Sequence, residues 1–184
     1  MSTHACSAII FRGYRSAIER RGKLQSVVEK VRPATAALLQ NPPLAISWVD
    51  YDDMNEVFRA MGECLTRQEV RQAGLEAARD GIGPILAPVI RGTLGLFGAS
   101  PPGLFGNLRR VTAIVLKNTD FSFQSTGPTT GVMEIINPIP MDPGLYTGWE
   151  GAFLFGFEVL GMKGVVGQAE VLDGGKRGRV ALSW

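Results

Sequence analysis

"YTGWEGAFLFGFEVLGMKG", residues 146–164, decides the fold. At about 100° per residue, Trp149, Phe153, Phe157 and Leu160 share one helical stripe, and Phe155, Val159 and Met162 share a neighbouring one. Glu150 and Glu158 fall on the narrow remaining face with Leu154 and Gly161. A helix apolar over most of its circumference belongs inside a domain. Gly148, Ala152 and Gly156 recur every four residues and form a shallow groove between the stripes. Each interior glycine costs about 0.5–1 kcal/mol relative to alanine. Two things offset such a cost: close approach of another backbone, or room for the apolar part of a ligand. Gly161 and Gly164 read as the helix end and the opening of the next strand.

Strand patterns flank this helix. "DFSFQSTG" (120–127) alternates Phe121 and Phe123 with polar residues, a period of two. Gly127-Pro128 turns the chain, and "GVMEIINP" (131–138) reads as a second strand. Downstream, "GVVGQAEVL" (164–172) and "RGRVALSW" (177–184) flank "DGGK", a hairpin signal. There Arg177 and Arg179 form the outward face opposite Val180 and Leu182.

Upstream, the period is helical. Leu24, Val27, Val28 and Val31 fall at i, i+3, i+4 and i+7. Pro33 interrupts that stripe, and "ATAALLQNPP" (34–43) adds a turn or two before two prolines stop it. "ISWVDYDDMNEVFRAMGECL" (46–65) starts a second helix, capped by one of Asp50, Asp52 and Asp53. It buries Met54, Val57, Phe58, Met61 and Leu65. "TRQE" (66–69) has capping-box spacing and opens a third helix to about Arg79, ended by Gly81 and Gly83. Residues 84–97 form an apolar helix, with Pro88 kinking it or marking its start. Ser100 caps a fifth, with Pro101 or Pro102 at its first position and Leu104, Leu108, Val111 and Val115 buried. "SAIIF" (7–11) is a short strand or a docking arm.

This order predicts an α+β fold: an N-terminal layer of about five helices, then a four-stranded antiparallel sheet in β-β-α-β-β order. The 184 residues read as one domain, with a helical part at 12–118 and a sheet-plus-helix part at 119–184.

Composition narrows the function. A net charge of +2, with no aromatic basic stripe, argues against nucleic acid. The stretch 81–106 is broken by Arg91 and several prolines, so no membrane span is expected. "MSTHACSAIIFRGYR" has no basic region ahead of its apolar residues, so no secretion signal is read there. Cys6 and Cys64 follow no metal or disulfide spacing, and a reducing cytoplasm is the expected compartment.

Catalytic constellations are missing. The one histidine, His4, stands four residues from the start, which leaves no material for a triad or for histidine-ligated zinc. There is no phosphate loop and no dinucleotide fingerprint. The Asp50, Asp52, Asp53 cluster suits helix capping better than a hard cation, so no metal is expected. Arg12, Arg15, Arg20, Arg21 and Lys23, with Glu19 among them, read as a solvated face or a contact for an acidic partner or lipid headgroups. Trp48 and Trp184 read as core or seam aromatics.

"SWVDYDDMNEVFRAMG" (47–62), the Gly148-Trp149 pair at the glycine-rich helix and the final strand ending in Trp184 resemble a paralogous family found in myxobacteria. The element order is similar to a broader group: haem nitric-oxide-binding domains, vinyl-reductase-type ligand domains and the palmitate-binding subunits of the eukaryotic transport-particle complex. The resemblance implies a helical layer meeting a small antiparallel sheet around an apolar cavity. The haem members use a proximal histidine and a Tyr-x-Ser-x-Arg motif, both missing here, so haem and other cofactors are not expected. The transport-particle members hold an acyl chain on a cysteine, which makes Cys64 the acylation candidate.

Together these readings lead to a non-enzymatic, sensor-like domain. It would hold an apolar small molecule or fatty acyl chain between helices and sheet and signal to a protein partner. Phe153, Gly156, Phe157, Leu86, Ile90 and Phe97 are the expected lining. The alternative is a protein–protein adaptor or homodimerisation module with a filled core and no ligand.

Overall fold

The structure is a computed structural model and describes residues 4–184. Its first strand, β1 (Ala5–Ser7), pairs antiparallel with β2 (Trp48–Asp50). Between them run α1 (Ala8–Arg20), α2 (Leu24–Val28) and α3 (Pro33–Gln40). Most of "SAIIF" is therefore the start of α1, whose Ser7 side chain accepts from the Ile9 amide. Arg21 and Gly22, the latter at φ +65°, separate α1 from α2.

α4 (Tyr51–Cys64) buries Met54, Val57, Phe58 and Met61, as its stripe predicts. Asp50 occupies the N-cap position but makes no side-chain cap bond. Asp53 instead accepts from Thr35 Oγ1 at 2.6 Å and Arg32 Nη2 at 2.9 Å, which ties α3 to α4. α5 (Arg67–Glu76) starts with the complete Thr66–Glu69 capping box.

The glycines at 81 and 83 do not end this helix. It continues through a π-helical turn (Ala77–Ile82) directly into α6 (Gly83–Phe97). Here the glycines allow close packing. A Cβ on Gly81 would lie 3.4 Å from the Ile9 carbonyl oxygen, and one on Gly83 would lie 2.8 Å from the Phe155 ring. The expected fifth helix is two short ones, α7 (Pro101–Phe105), capped by Ser100, and α8 (Leu108–Thr112).

β3 (Asp120–Gly127) and β4 (Thr130–Ile136) form the first hairpin. α9 follows (Pro143–Val159), capped by Asp142 accepting from the Gly144 amide at 2.7 Å. Then come β5 (Val165–Val166), β6 (Glu170–Leu172) and β7 (Arg177–Ser183). The sheet runs β3-β4-β7-β5 and is antiparallel throughout, with β6 also paired to β7. The β-β-α-β-β order therefore holds, but five strands replace four because the segment after α9 is split. The split has a local cause: the Ala169 amide leaves the sheet and donates to Glu150 Oε1 on α9 at 2.7 Å.

Period-two alternation is clear in β7, where Gly178, Val180 and Leu182 face inward. Tyr146 stacks over Gly178, and its hydroxyl donates to the Gly175 carbonyl at 2.6 Å. Phe121 on β3 packs edge-on to Trp149 at 5.0 Å. Buried residues of the helical part and of the sheet part belong to one continuous core cluster. Among the described residues no helix is long and apolar enough to cross a membrane.

Candidate functional site

α9 is the axis of the interior, and its glycines are used unequally. A Cβ on Gly74 of α5 would lie 2.7 Å from the Gly148 carbonyl carbon. One on Gly151 would lie 2.5 Å from the Leu75 amide nitrogen. Backbone contact between α5 and α9 thus accounts for Gly74 and Gly151, while a Cβ on Gly148 would stand 3.2 Å from the Phe58 ring and against the Tyr14 hydroxyl. Gly156 faces the Phe105 ring, 3.0 Å from where its Cβ would stand. Ala152 borders open space.

That space is two adjoining voids of ≈ 40 Å³ and ≈ 70 Å³. Ile10, Ala78, Ile82, Leu116, Trp149 and Ala152 belong to the walls of both. The smaller void lies between α1, α4, the π turn and α9, and Cys6, Tyr14, Tyr51 and Asn137 are in its wall. The larger lies between α6, α7, α8 and α9 and is almost wholly apolar. Neither wall contains a residue of strands β3 to β7, which corrects the expectation of a pocket between helices and sheet. The helices close around the space, while the sheet packs on Tyr146 and Trp149.

Of the six expected lining residues, Phe153, Gly156, Leu86 and Ile90 border the larger void. Phe157 is buried but lines neither void; its ring packs on Phe105 at 5.1 Å. Phe97 continues the stripe of Leu86, Ile90 and Thr93 but is 49% exposed, because it is the last residue of α6 and stands beyond the buried part of that stripe. Cys64 is half-buried at the end of α4 and lines neither void. Cys6 is the cysteine that does, and burial pushes its thiol up to about 12. Cys6 stands on β1 and Ile10 and Tyr14 on α1, and no local pattern in the sequence joins the three.

A hydrogen-bonded chain borders the smaller void. Tyr51 Oη lies 2.5 Å from Thr119 Oγ1, Thr119 donates to Asn137 Oδ1 at 3.2 Å, and Asn137 donates to Tyr146 Oη at 3.0 Å. Burial holds the Tyr14, Tyr51 and Tyr146 hydroxyls above their ordinary range.

Glu150, placed on the polar face by the helical wheel, is 1% exposed. Arg67 donates to its carboxylate, Arg71 Nε stands 3.8 Å away, and Ala169 supplies the backbone bond described above. Burial raises its carboxyl pKa, opposed by the Ala169 amide and the two arginines. The N-terminal cations are similarly engaged. Arg12 and Arg15 donate to the Pro43 and Leu39 carbonyls, and Arg20 and Arg21 both bind Glu76 on α5. His4 lies beside Asn118 and lines neither void. Among the described residues no group of acids, cysteines and histidines could hold a metal ion.

No family model and no curated protein sequence matches the chain. Its fold does match solved structures of H-NOX domains, the haem nitric oxide/oxygen-binding group. A Tt H-NOX variant with two substitutions has a TM-score of 0.65 at 11% identity, covering 97% of this chain and 94% of that one. A variant of the Fe(II) unliganded H-NOX protein from K. algicida gives 0.63 at 10% identity, covering 96% and 95%. An oxygen-binding H-NOX domain related to soluble guanylate cyclases gives 0.61 at 11%, covering 96% and 94%. The chain has the H-NOX fold.

This fold likeness overturns the expectation that haem has no place here. H-NOX structures whose descriptions concern haem distortion share the fold, at a TM-score of 0.58 in one case. Haem iron can be held by histidine, cysteinate or tyrosinate, or by methionine beside a histidine. Among the wall residues the side chains able to ligate iron are Cys6, Tyr14, Tyr51, Met54 and Met141, with no histidine among them. Voids of ≈ 40 and ≈ 70 Å³ are a fraction of a porphyrin's size. As packed, these residues do not fit a histidine-held haem.

Proposed function

We propose that this chain is a sensor-type binding domain that takes a small apolar molecule into the two helix-lined voids beside Trp149 and Ala152. The carrying observation is a shared apolar wall between two voids in an otherwise densely packed core. An apolar cavity stays dry and accepts small apolar guests. The H-NOX fold supports the reading, since one neighbour is described as oxygen-binding. Occupancy would be reported through α9, which touches α5, the π turn and the sheet region. The reading is one of binding rather than catalysis. It treats residues 1–184 as one unit, supported by the continuous core. Two free cysteines fit a reducing, cytoplasmic setting.

Native mass spectrometry of the purified protein tests this, together with its visible absorption. A stoichiometric small-molecule adduct supports the reading, and a Soret band would name haem as the occupant. Leu86→Phe adds atoms to the larger void, so it should abolish uptake of xenon while leaving the circular dichroism unchanged. Xenon uptake equal to wild type would overturn the placement.

A second reading has its own observation. Leu96 is 70% exposed and Phe97 49% exposed at the end of α6, which suits contact with a protein partner or a second copy. An empty, dimeric protein in the same spectrum would favour that adaptor.

A further inference from the structure

The smaller void is bordered by a tyrosine hydroxyl that has no protein partner among the described residues. Tyr14 is 7% exposed, lies edge-on to Phe58 at 4.8 Å and lines the void. Among the described residues its Oη has no hydrogen-bond partner. Buried hydroxyls normally have one, because water is lost without replacement otherwise.

The neighbouring polar groups do not supply it. Thr119 donates to Asn137 Oδ1, which leaves Tyr51 as the donor to Thr119. Asn137 donates to Tyr146, and Tyr146 donates to the Gly175 carbonyl. The hydroxyl protons of Tyr51, Thr119 and Tyr146 are therefore committed, and the Tyr14 proton is the spare one. No charged residue belongs to this wall, so an ionised ligand would be buried unpaired. The room is small: ≈ 40 Å³ adjoining ≈ 70 Å³. An apolar cavity of about 150 Å³ holds a benzene, so a guest here has a few heavy atoms.

We infer that the ligand is a small neutral molecule with one acceptor oxygen, a ketone, ester or ether, which accepts from Tyr14 Oη while its carbon chain lies along Ala152 toward the larger void. This rests on the binding reading above and specifies the ligand for it.

Two shape-matched probes separate the two ideas. Butan-2-one and 2-methylbut-1-ene differ by an oxygen in place of a methylene. Each is titrated into the intact wild-type chain and into Tyr14→Phe, with the Trp149 indole N–H and the backbone amides followed by NMR. Butan-2-one should bind wild type more tightly than the alkene does. Tyr14→Phe should weaken butan-2-one roughly two- to tenfold and leave the alkene unchanged. If both probes bind and their ratio is the same in the two proteins, a buried water or nothing meets Tyr14, and the inference fails while the binding site stands. If neither probe moves any wall resonance in wild type, both readings fall.

Discussion

Gly74 and Gly148 hold α5 and α9 in backbone contact: a methyl group on Gly74 would lie 2.8 Å from the Gly148 Cα. Real side chains do not approach a backbone that closely, and neither helix can retreat without opening the core around Phe58 and Tyr14. Gly74→Ala should therefore destabilise by about 3 kcal/mol, the upper end for overpacking. Gly62, inside α4, has nothing within 4 Å of its added Cβ. Gly62→Ala should stabilise by about 0.4–1 kcal/mol. Urea denaturation of both variants checks the contrast.

Glu150 joins α9 to α5 and to the connection between β5 and β6. Glu150→Ala would leave the Ala169 amide without its acceptor and Arg67 with Thr147 Oγ1 alone. The loss should be about 1–2 kcal/mol, mainly from the unsatisfied Ala169 amide, because the Arg67 side chain is 40% exposed to water. Faster hydrogen exchange at Ala169, ahead of the β7 amides, would identify the local release.

Glu76 makes part of the stability depend on pH. The Arg21 guanidinium, hydrogen-bonded to it, holds its carboxyl down to about 2, with Arg20 adding to the effect. The folded value lies below the unfolded one, so the contribution is present above about pH 4.5. It is lost as pH falls toward 2. After allowance for solvent screening the effect is about 1 kcal/mol. Glu76→Gln should be less stable than wild type at pH 7 and should converge with it near pH 2 in acid titrations followed by circular dichroism.

Two helix starts with similar sequence signals should respond differently. Thr66 makes a complete capping box, and Thr66→Ala should cost about 1 kcal/mol. Asp50 makes no cap bond, so Asp50→Ala should stay within about 0.5 kcal/mol of wild type in thermal melts.

Short-range chemistry was readable in the sequence. The Thr66 box, the Ser100 cap, the stripe of α4 and the alternation of β7 depend on residues a few positions apart, and the structure reproduces each. Long-range partners were not readable. Glu150 looked solvated because a helical wheel cannot include Arg67, 83 positions away, or the Ala169 amide, which also divides the expected strand. The same limit applied to the glycines: the four-residue spacing suggested a groove at 148, 152 and 156, while Gly74 had no local feature to pair it with Gly148. At the site, Leu86, Ile90, Phe153 and Gly156 were legible as the apolar face of two helices. Tyr14 and Cys6 were not, since nothing in "HACSAIIFRGY" indicates which turn of α1 faces a void.

The division of the segment after α9 also bears on colloidal behaviour. The outer side of β7 is met by strands of two and three residues, with Glu150 holding the intervening backbone away. A margin cut into such short pieces offers an incoming chain no continuous row of free amides and carbonyls to zip onto. Releasing Ala169 would lengthen that row at this margin, while β3, the opposite margin, keeps its eight residues in either case.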